Sequence, residues 1–212
     1  MRQNPSFTLA DPAEIKRLIR VNPWATLVSN TDDGLVASHY PVLVDESREE
    51  LSIVTHVGRP DEQLHELGRH ELLVVIQGPH GYISPGWYDA KPAVPTWNFT
   101  AAHLSGVPEI LSDEENFRVL GGLVDHFENR MPHPRRMEGT PENAAYAQRI
   151  SSGTVGLRLT PTRVVAKSKL SQNRSDETVD TIIGELEGDG PYASPALAAE
   201  MRRVHERMRA AR

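Results

Sequence analysis

Four short blocks of this chain set imidazoles, hydroxyls, amides, cations and one large aromatic into stretches otherwise patterned as strands. Ser38-His39-Tyr40-Pro41 interrupts one apolar alternation, and Thr55-His56 is followed closely by Gly58-Arg59. Pro95-Thr96-Trp97-Asn98 leads into Ala101-Ala102-His103, and Lys167-Ser168-Lys169-Leu170-Ser171-Gln172-Asn173-Arg174 ends another strand. Flat walls, a few edge donors and a cationic end suit an aromatic cofactor with an acidic tail. Arg59, Lys167, Lys169 and Arg174 are candidates to meet phosphate or carboxylate, and Trp97 or Tyr40 could lie against a ring. Three strand-borne histidines, His39, His56 and His103, add the chemistry of iron, because neutral imidazole is a common haem ligand. Taken one at a time, each has a plainer reading as a satisfied half-buried imidazole, a core or interface indole, or a solvated cation.

Other chemistries lack their signatures. No Gly-x-Gly-x-x-Gly follows a strand, and no Walker-type Gly-Lys-Ser/Thr exists to cradle a phosphate. There is no His-Glu-x-x-His pair and no Gly-x-Ser-x-Gly elbow. The absence of cysteine removes thiolate zinc sites, iron–sulfur clusters, a Cys nucleophile and disulfides. With 212 residues and a formal charge of −6, the chain can bury a real core and lacks the basic footprint of nucleic-acid binding. The exception is Glu200 to Arg212, where five Arg stand against two Glu. That stretch reads as a solvated amphipathic end helix, with a subunit or anionic-ligand contact as the alternative. No apolar run approaches the ~20 residues of a spanning helix. Met1-Arg2-Gln3-Asn4-Pro5 lacks a secretory apolar stretch, so the expected location is cytoplasmic.

The elements that must position these residues follow from local signals. Asp11-Pro12-Ala13-Glu14 opens a helix whose Ile15, Leu18 and Ile19 share a face. Trp24 to Ser29 is a strand, Thr31-Asp32-Asp33-Gly34 a hairpin turn, and Leu35 to Val44 the return strand. Leu51 to Val57 is a third strand, and Asp61 to Arg69 a short helix with Leu64 and Leu67 on one side. Leu72 to Ile76 reads as a strand covered on both faces, followed by Tyr82 to Ser84 and Val94 to Leu104. Ser112-Asp113-Glu114-Glu115 is a capping box for a helix to about Asn129, and Thr140-Pro141-Glu142 starts another. Val155 to Leu159 and Arg163 to Lys169 are the last strands, and helices from Ser175 and Pro195 end the chain. Met131 to Arg136 is the most loop-like stretch, a segment suited to covering a site. About eight strands with helices at the ends favour a mainly β fold with peripheral helices, a small antiparallel barrel.

The longer motifs carry a resemblance. Leu27-Val28-Ser29, Ala37-Ser38-His39-Tyr40-Pro41, Gln77-Gly78-Pro79-His80-Gly81-Tyr82-Ile83-Ser84-Pro85-Gly86-Trp87-Tyr88, Val94-Pro95-Thr96-Trp97-Asn98-Phe99 and Lys169-Leu170-Ser171-Gln172-Asn173-Arg174 resemble the PaiB-like family. That family is usually labelled FMN-binding negative transcriptional regulators, and the likeness runs over about residues 7 to 187. It implies an FMN-binding split β-barrel, related to pyridoxamine phosphate oxidase, that dimerises with its cofactor at the subunit interface. It also implies a division into a cofactor domain, 1–187, and a helical extension, 188–212. Members similar in sequence include haem-dependent piperazate synthases, which cyclise side-chain N-hydroxylated ornithine by forming an N–N bond. Two departures turn the reading toward that branch. His56-Val57-Gly58-Arg59-Pro60-Asp61-Glu62 stands where members show His-x-Ala-Arg-Ala-Asn-Pro, which sets an acid beside the expected phosphate site. The chain also continues through Gly190-Pro191-Tyr192-Ala193-Ser194-Pro195 into a basic helix.

The resemblance therefore implies a haem b enzyme acting on an N-hydroxy amino acid, with His56 on iron and His39 or His103 as alternates. Arg59 and Lys169 would meet the propionates, while Thr96, Asn98 and Tyr40 would position substrate. Thr55, Trp97 and Gln172 complete the expected cofactor-binding set. The alternatives are an FMN-binding oxidoreductase, with Arg59 and Lys169 on the phosphate and Trp97 near the isoalloxazine, and a transcriptional regulator of the PaiB type. Nucleic acid and membrane are not expected partners; a second copy of the chain is.

Overall fold

A computed structural model of the chain describes residues 1–2, 4–88 and 92–211, so Gln3 of the amino-terminal stretch and Arg212 of the basic end lie outside the described residues. The helices begin where local chemistry supplies caps. Helix α1 (Pro12–Val21) buries Ile15, Leu18 and Ile19. Ser112 and Glu115 cap α3 (Asp113–Glu128) reciprocally, following the short α2 (Arg59–Leu64). Thr140 caps α4 (Pro141–Ser151) and Ser175 caps α5 (Asp176–Glu187), each hydroxyl accepting from an orphan backbone N–H. The last helix is α6 (Pro195–Ala210).

Nine strands are described: β1 (Trp24–Thr31), β2 (Gly34–Pro41), β3 (Leu43–Val44), β4 (Ile53–Gly58), β5 (Leu72–Ile83), β6 (Thr96–Gly106), β7 (Glu109–Ile110), β8 (Thr154–Leu159) and β9 (Arg163–Lys169). One sheet has the order β2-β1-β5-β6-β9 and the other β3-β4-β8-β7. The recorded pairings of β1 with β2 and β5, and of β8 with β4 and β7, are antiparallel. The mainly β class with peripheral helices is thus the observed one.

Several boundaries differ from expectation for physical reasons. The hairpin loop is Asp32–Asp33, and the positive φ falls on Gly34 alone, at +113°, where it pairs with Thr31. The return strand breaks after Pro41, and β3 joins the other sheet. The helix expected to Arg69 ends at Leu64, because Glu66 and Gly68 take left-handed φ of 46° and 85°; Leu64 stays exposed. Leu72 to Ile83 is one continuous strand, with Leu72, Val74 and Ile76 fully buried and Leu73 and Val75 half-buried.

The chain forms two compact units interleaved along the sequence. One comprises 12–76 and 103–164, and the other 1–11, 77–102 and 165–212. In the first, α3 lies so close to β8 that a Cβ at Gly156 would meet Asn116 Cα at 2.9 Å, which is why a residue without a side chain sits there. In the second, α5 and α6 share a core with Ile83, Leu170, Val179, Ile182, Leu186, Leu197 and Met201. The cations of α6 are engaged there: Arg202 with Glu187, Arg203 with Glu200 and Arg209 with Asp180, each at 2.8 Å. Among the described residues no helix is long and apolar enough to cross a membrane.

Candidate functional site

The expected site residues fall into two groups, one in each unit. In the unit of 12–76 and 103–164, His56 projects from β4 with its Nδ1 buried and without a hydrogen-bond partner. Burial pushes the His56 imidazole below its ordinary pKa, which favours the neutral form. The Tyr40 ring meets it edge-on at 6.0 Å between centroids. Tyr40 donates a hydrogen bond to Asp61 and accepts from the Gly58 N–H at 3.2 Å. The acid that replaces the family's Asn is therefore turned to a tyrosine hydroxyl.

His56 forms part of the wall of a cavity of about 800 Å³. The rest of the wall comes from α3 (Leu120, Leu123, Val124), α4 (Tyr146, Ala147, Ile150) and the segment from Pro134 to Thr140. The loop-like stretch noted in the sequence thus does border a cavity. Arg59 is committed elsewhere in this unit: its Nε donates to the Ser152 carbonyl at 2.7 Å and its Nη1 reaches Glu62 at 3.5 Å. Thr55 donates to the Pro41 carbonyl at 2.6 Å, so its hydroxyl faces the backbone. His39 is exposed, with Nδ1 3.1 Å from Thr26 Oγ1 and its ring stacked on Trp24. His103 is half-buried, and burial lowers its pKa. His65, absent from the expected set, is a buried histidine held between Ser29 Oγ at 2.9 Å and Ser38 Oγ at 3.0 Å.

In the unit of 1–11, 77–102 and 165–212, Lys169 donates to Thr96 and to the Trp97 carbonyl, the latter at 2.9 Å. Lys167 and Lys169 are two apart on β9 and so share a face. They border a cavity of about 580 Å³ with Arg2, Asn4, Pro5, Phe7 and Phe99, and no carboxylate is among its lining residues. The Lys167 ammonium stands 5.6 Å from the Phe99 ring centroid and 6.0 Å from that of Phe7. Burial first, then the charges of Lys167 and Arg174, hold the Lys169 ammonium below the usual lysine range. The smaller part of that effect comes from like charges gathered at a cavity whose lining has no carboxylate.

The neighbouring turn fixes this arrangement. Ser171 sits at φ 64°, a left-handed conformation costing about 1 kcal/mol or more for a non-glycine residue. Gln172 clamps it, accepting from the Leu170 N–H at 2.7 Å and donating to the Ser168 carbonyl at 2.6 Å. Buried Asn98 locks it from the other side, donating to Ser171 Oγ at 2.9 Å and to the Met201 sulfur at 3.4 Å. Asn98 and Gln172 thus hold the scaffold of Lys169. Trp97 is 54% exposed, with His80 stacked on it at 6.5 Å and Tyr82 edge-on at 6.3 Å, leaving indole surface for a flat partner.

No local signal marks Arg2, Phe7 and Phe99 as site residues, because their grouping depends on pairing of residues 8 and 9 with 166 and 167, far away in sequence. Among the described residues the grouping with metal-ligand geometry is Asp32, Glu66 and His70, with ligand atoms within 4.8 Å of one another; none of the expected iron ligands belongs to it.

Residues 1–163 match the family model described as "Putative FMN-binding domain". Protease synthase and sporulation protein PAI 2 of Bacillus subtilis (strain 168) is 27% identical over 185 residues, covering 86% of this chain and 87% of that protein. Among solved structures, the FAD and haem binding protein from Mycobacterium smegmatis is similar at a TM-score of 0.58, with 17% identity over 87% of this chain and 81% of its own. The flavocytochrome Anf3 from Azotobacter vinelandii is similar at a TM-score of 0.60, with 13% identity over 85% of this chain and 78% of its own. At these identities the structural likeness speaks to fold.

Proposed function

The chain belongs to the FMN-binding-domain family, and from that premise we propose that it holds FMN as a resident redox cofactor, anchored through its phosphate by Lys169 and Lys167. The observation that carries this reading is the cavity bordered by Arg2, Lys167 and Lys169, walled by Phe7 and Phe99 and free of lining carboxylates. A phosphate dianion supplies the charge these ammonium groups lack, and the lysines act as point charges on it. In this reading the Trp97 indole, exposed and braced by His80 and Tyr82, lies against the ring system. Bound FMN supplies one- or two-electron transfer; the protein's part is to anchor, orient and shield it. Arg59 has no place in this anchor, since its guanidinium already serves Ser152 and Glu62. The oligomer in this reading is a homodimer, and the compartment is the cytoplasm.

A DNA-binding role like that of a regulator draws little support, because three α6 arginines are neutralised by acids of α5 and α6. The second reading is the haem-dependent N–N cyclase, favoured by one observation: the neutral His56 has a buried Nδ1 with no partner. Haem would supply a Lewis-acidic iron with His56 as its ligand. Tyr40, held by Asp61, would orient a substrate beside that imidazole.

The visible absorption spectrum of the purified protein separates the readings. Paired flavin bands, unchanged in His56→Ala, are expected. A Soret band that His56→Ala abolishes would overturn the flavin assignment in favour of haem.

A further inference from the structure

We propose that the cavity beside His56 is a second ligand site, within its own unit, for an organic anion with an apolar, ring-sized body. Its volume, about 800 Å³, lies in the range of small-molecule sites, and Leu120, Leu123, Val124, Tyr146 and Ile150 give it an apolar wall.

The polar groups of the wall decide the ligand's chemistry, because nearly all are already satisfied. Arg136 binds Asp125 at 2.9 Å and also Asn129. Asn143 donates to the carbonyls of Arg136 and Met137 at 3.0 and 2.7 Å. Thr140 caps α4, Ser151 donates to the Gln148 carbonyl at 2.8 Å, and Thr154 donates to the Ser151 carbonyl at 2.7 Å. Two groups remain. His56 Nδ1 is buried and unpartnered, and the Arg135 guanidinium has no partner among the described residues.

An apolar chamber offering one guanidinium and one neutral imidazole complements a ligand with one anionic group, one hydrogen-bonding group and a hydrocarbon body. Burying the body supplies affinity, and the guanidinium selects the anion. A neutral apolar ligand would leave both groups unpaired. This inference does not rest on the flavin reading, and it competes with the haem reading, because one imidazole nitrogen cannot serve both.

The test uses the full chain and 1-anilinonaphthalene-8-sulfonate, an apolar aromatic anion whose fluorescence rises in dry sites. Wild type should bind one equivalent saturably. Arg135→Glu replaces an exposed loop cation and should weaken binding by about tenfold or more, the loss of one charge-assisted contact. Ile150→Trp, at the 51% exposed edge of the wall, should block the site. Near-ultraviolet circular dichroism confirms that both variants are folded. Uncharged N-phenyl-1-naphthylamine should bind wild type and Arg135→Glu alike. Dye affinity unchanged in both variants would overturn the proposal, as would a protein-borne Soret band lost in His56→Ala.

Discussion

Lys169→Glu should weaken FMN binding by about thirtyfold or more, because it replaces a charge-assisted contact worth roughly 1.5–3 kcal/mol with repulsion. The effect should be specific to anion binding. Lys169 ends β9, where Lys167 lies on the same face and Arg174 follows, and its ammonium is already held below the usual lysine range by burial and those neighbours. A protein gains little by gathering like charges in a half-buried cavity unless something negative occupies it. Removing one charge therefore relieves repulsion in the free protein while removing affinity in the loaded one. The signature is a large rise in the FMN dissociation constant, by fluorescence titration, with an unfolding midpoint for the cofactor-free protein equal to or above that of wild type. A variant that loses both FMN binding and stability would mean that the bonds from Lys169 to Thr96 and the Trp97 carbonyl are its main role. Lys169→Arg should retain most of the affinity.

Arg158→Ala should destabilise the folded chain by about 3 kcal/mol, the low end for breaking a buried pair from one side. The Arg158 side chain is 13% exposed; it lies 2.7 Å from Asp45, 3.0 Å from Glu109 and 3.6 Å from Glu115. It ties β8 to the end of β3, to β7 and to the first turn of α3. Removing it strands three carboxylates together, one of them, Asp45, only 9% exposed. Burial alone would raise the Asp45 pKa, but hydrogen bonds from Ser47 and Arg158 outweigh it and hold the carboxyl below its usual range. A depressed carboxylate contributes stability that is present above its unfolded pKa of about 3.9 and lost as pH falls through the folded value. Wild type should therefore lose this contribution in acid, and Arg158→Ala should show a shallower acid slope by denaturant titration at several pH values. Asp45→Leu combined with Arg158→Met should be far milder than Arg158→Ala, because removing both charges strands neither. Equal destabilisation by the double and single variants would show that packing, not charge pairing, is what Arg158 contributes.

The parts of the molecule set by nearest neighbours were legible in the sequence. The Ser112–Glu115 capping box, the Thr140 and Ser175 caps and the apolar spacing of α1 need only a few adjacent residues. Lys167 and Lys169 were legible only as two of four candidate cations, and the sequence reading paired Lys169 with Arg59 instead. The reading failed where function depends on what comes near from far along the chain. Arg59 looked like a free cation until α4 brought the Ser152 carbonyl to it. Asn98 looked like a substrate contact, and its partners turned out to be Ser171 and Met201. The wall around His56 is built by α3 and α4, and the approach of α3 to β8 depends on the missing side chain of Gly156. No local pattern announces any of these meetings. The short helix ending at Leu64 failed differently: left-handed φ at Glu66 and Gly68 overrode a fair helical spacing.

Central to the account is that an anionic end anchors a flat cofactor at Lys169 and Lys167. Equilibrium titration of the cofactor-free protein with FMN and with riboflavin tests it most directly, since the two ligands share one ring system and differ by the phosphate. FMN should bind about thirtyfold or more tightly than riboflavin at low salt, and Lys169→Glu should erase the difference. Equal affinity for the two ligands in wild type would contradict it.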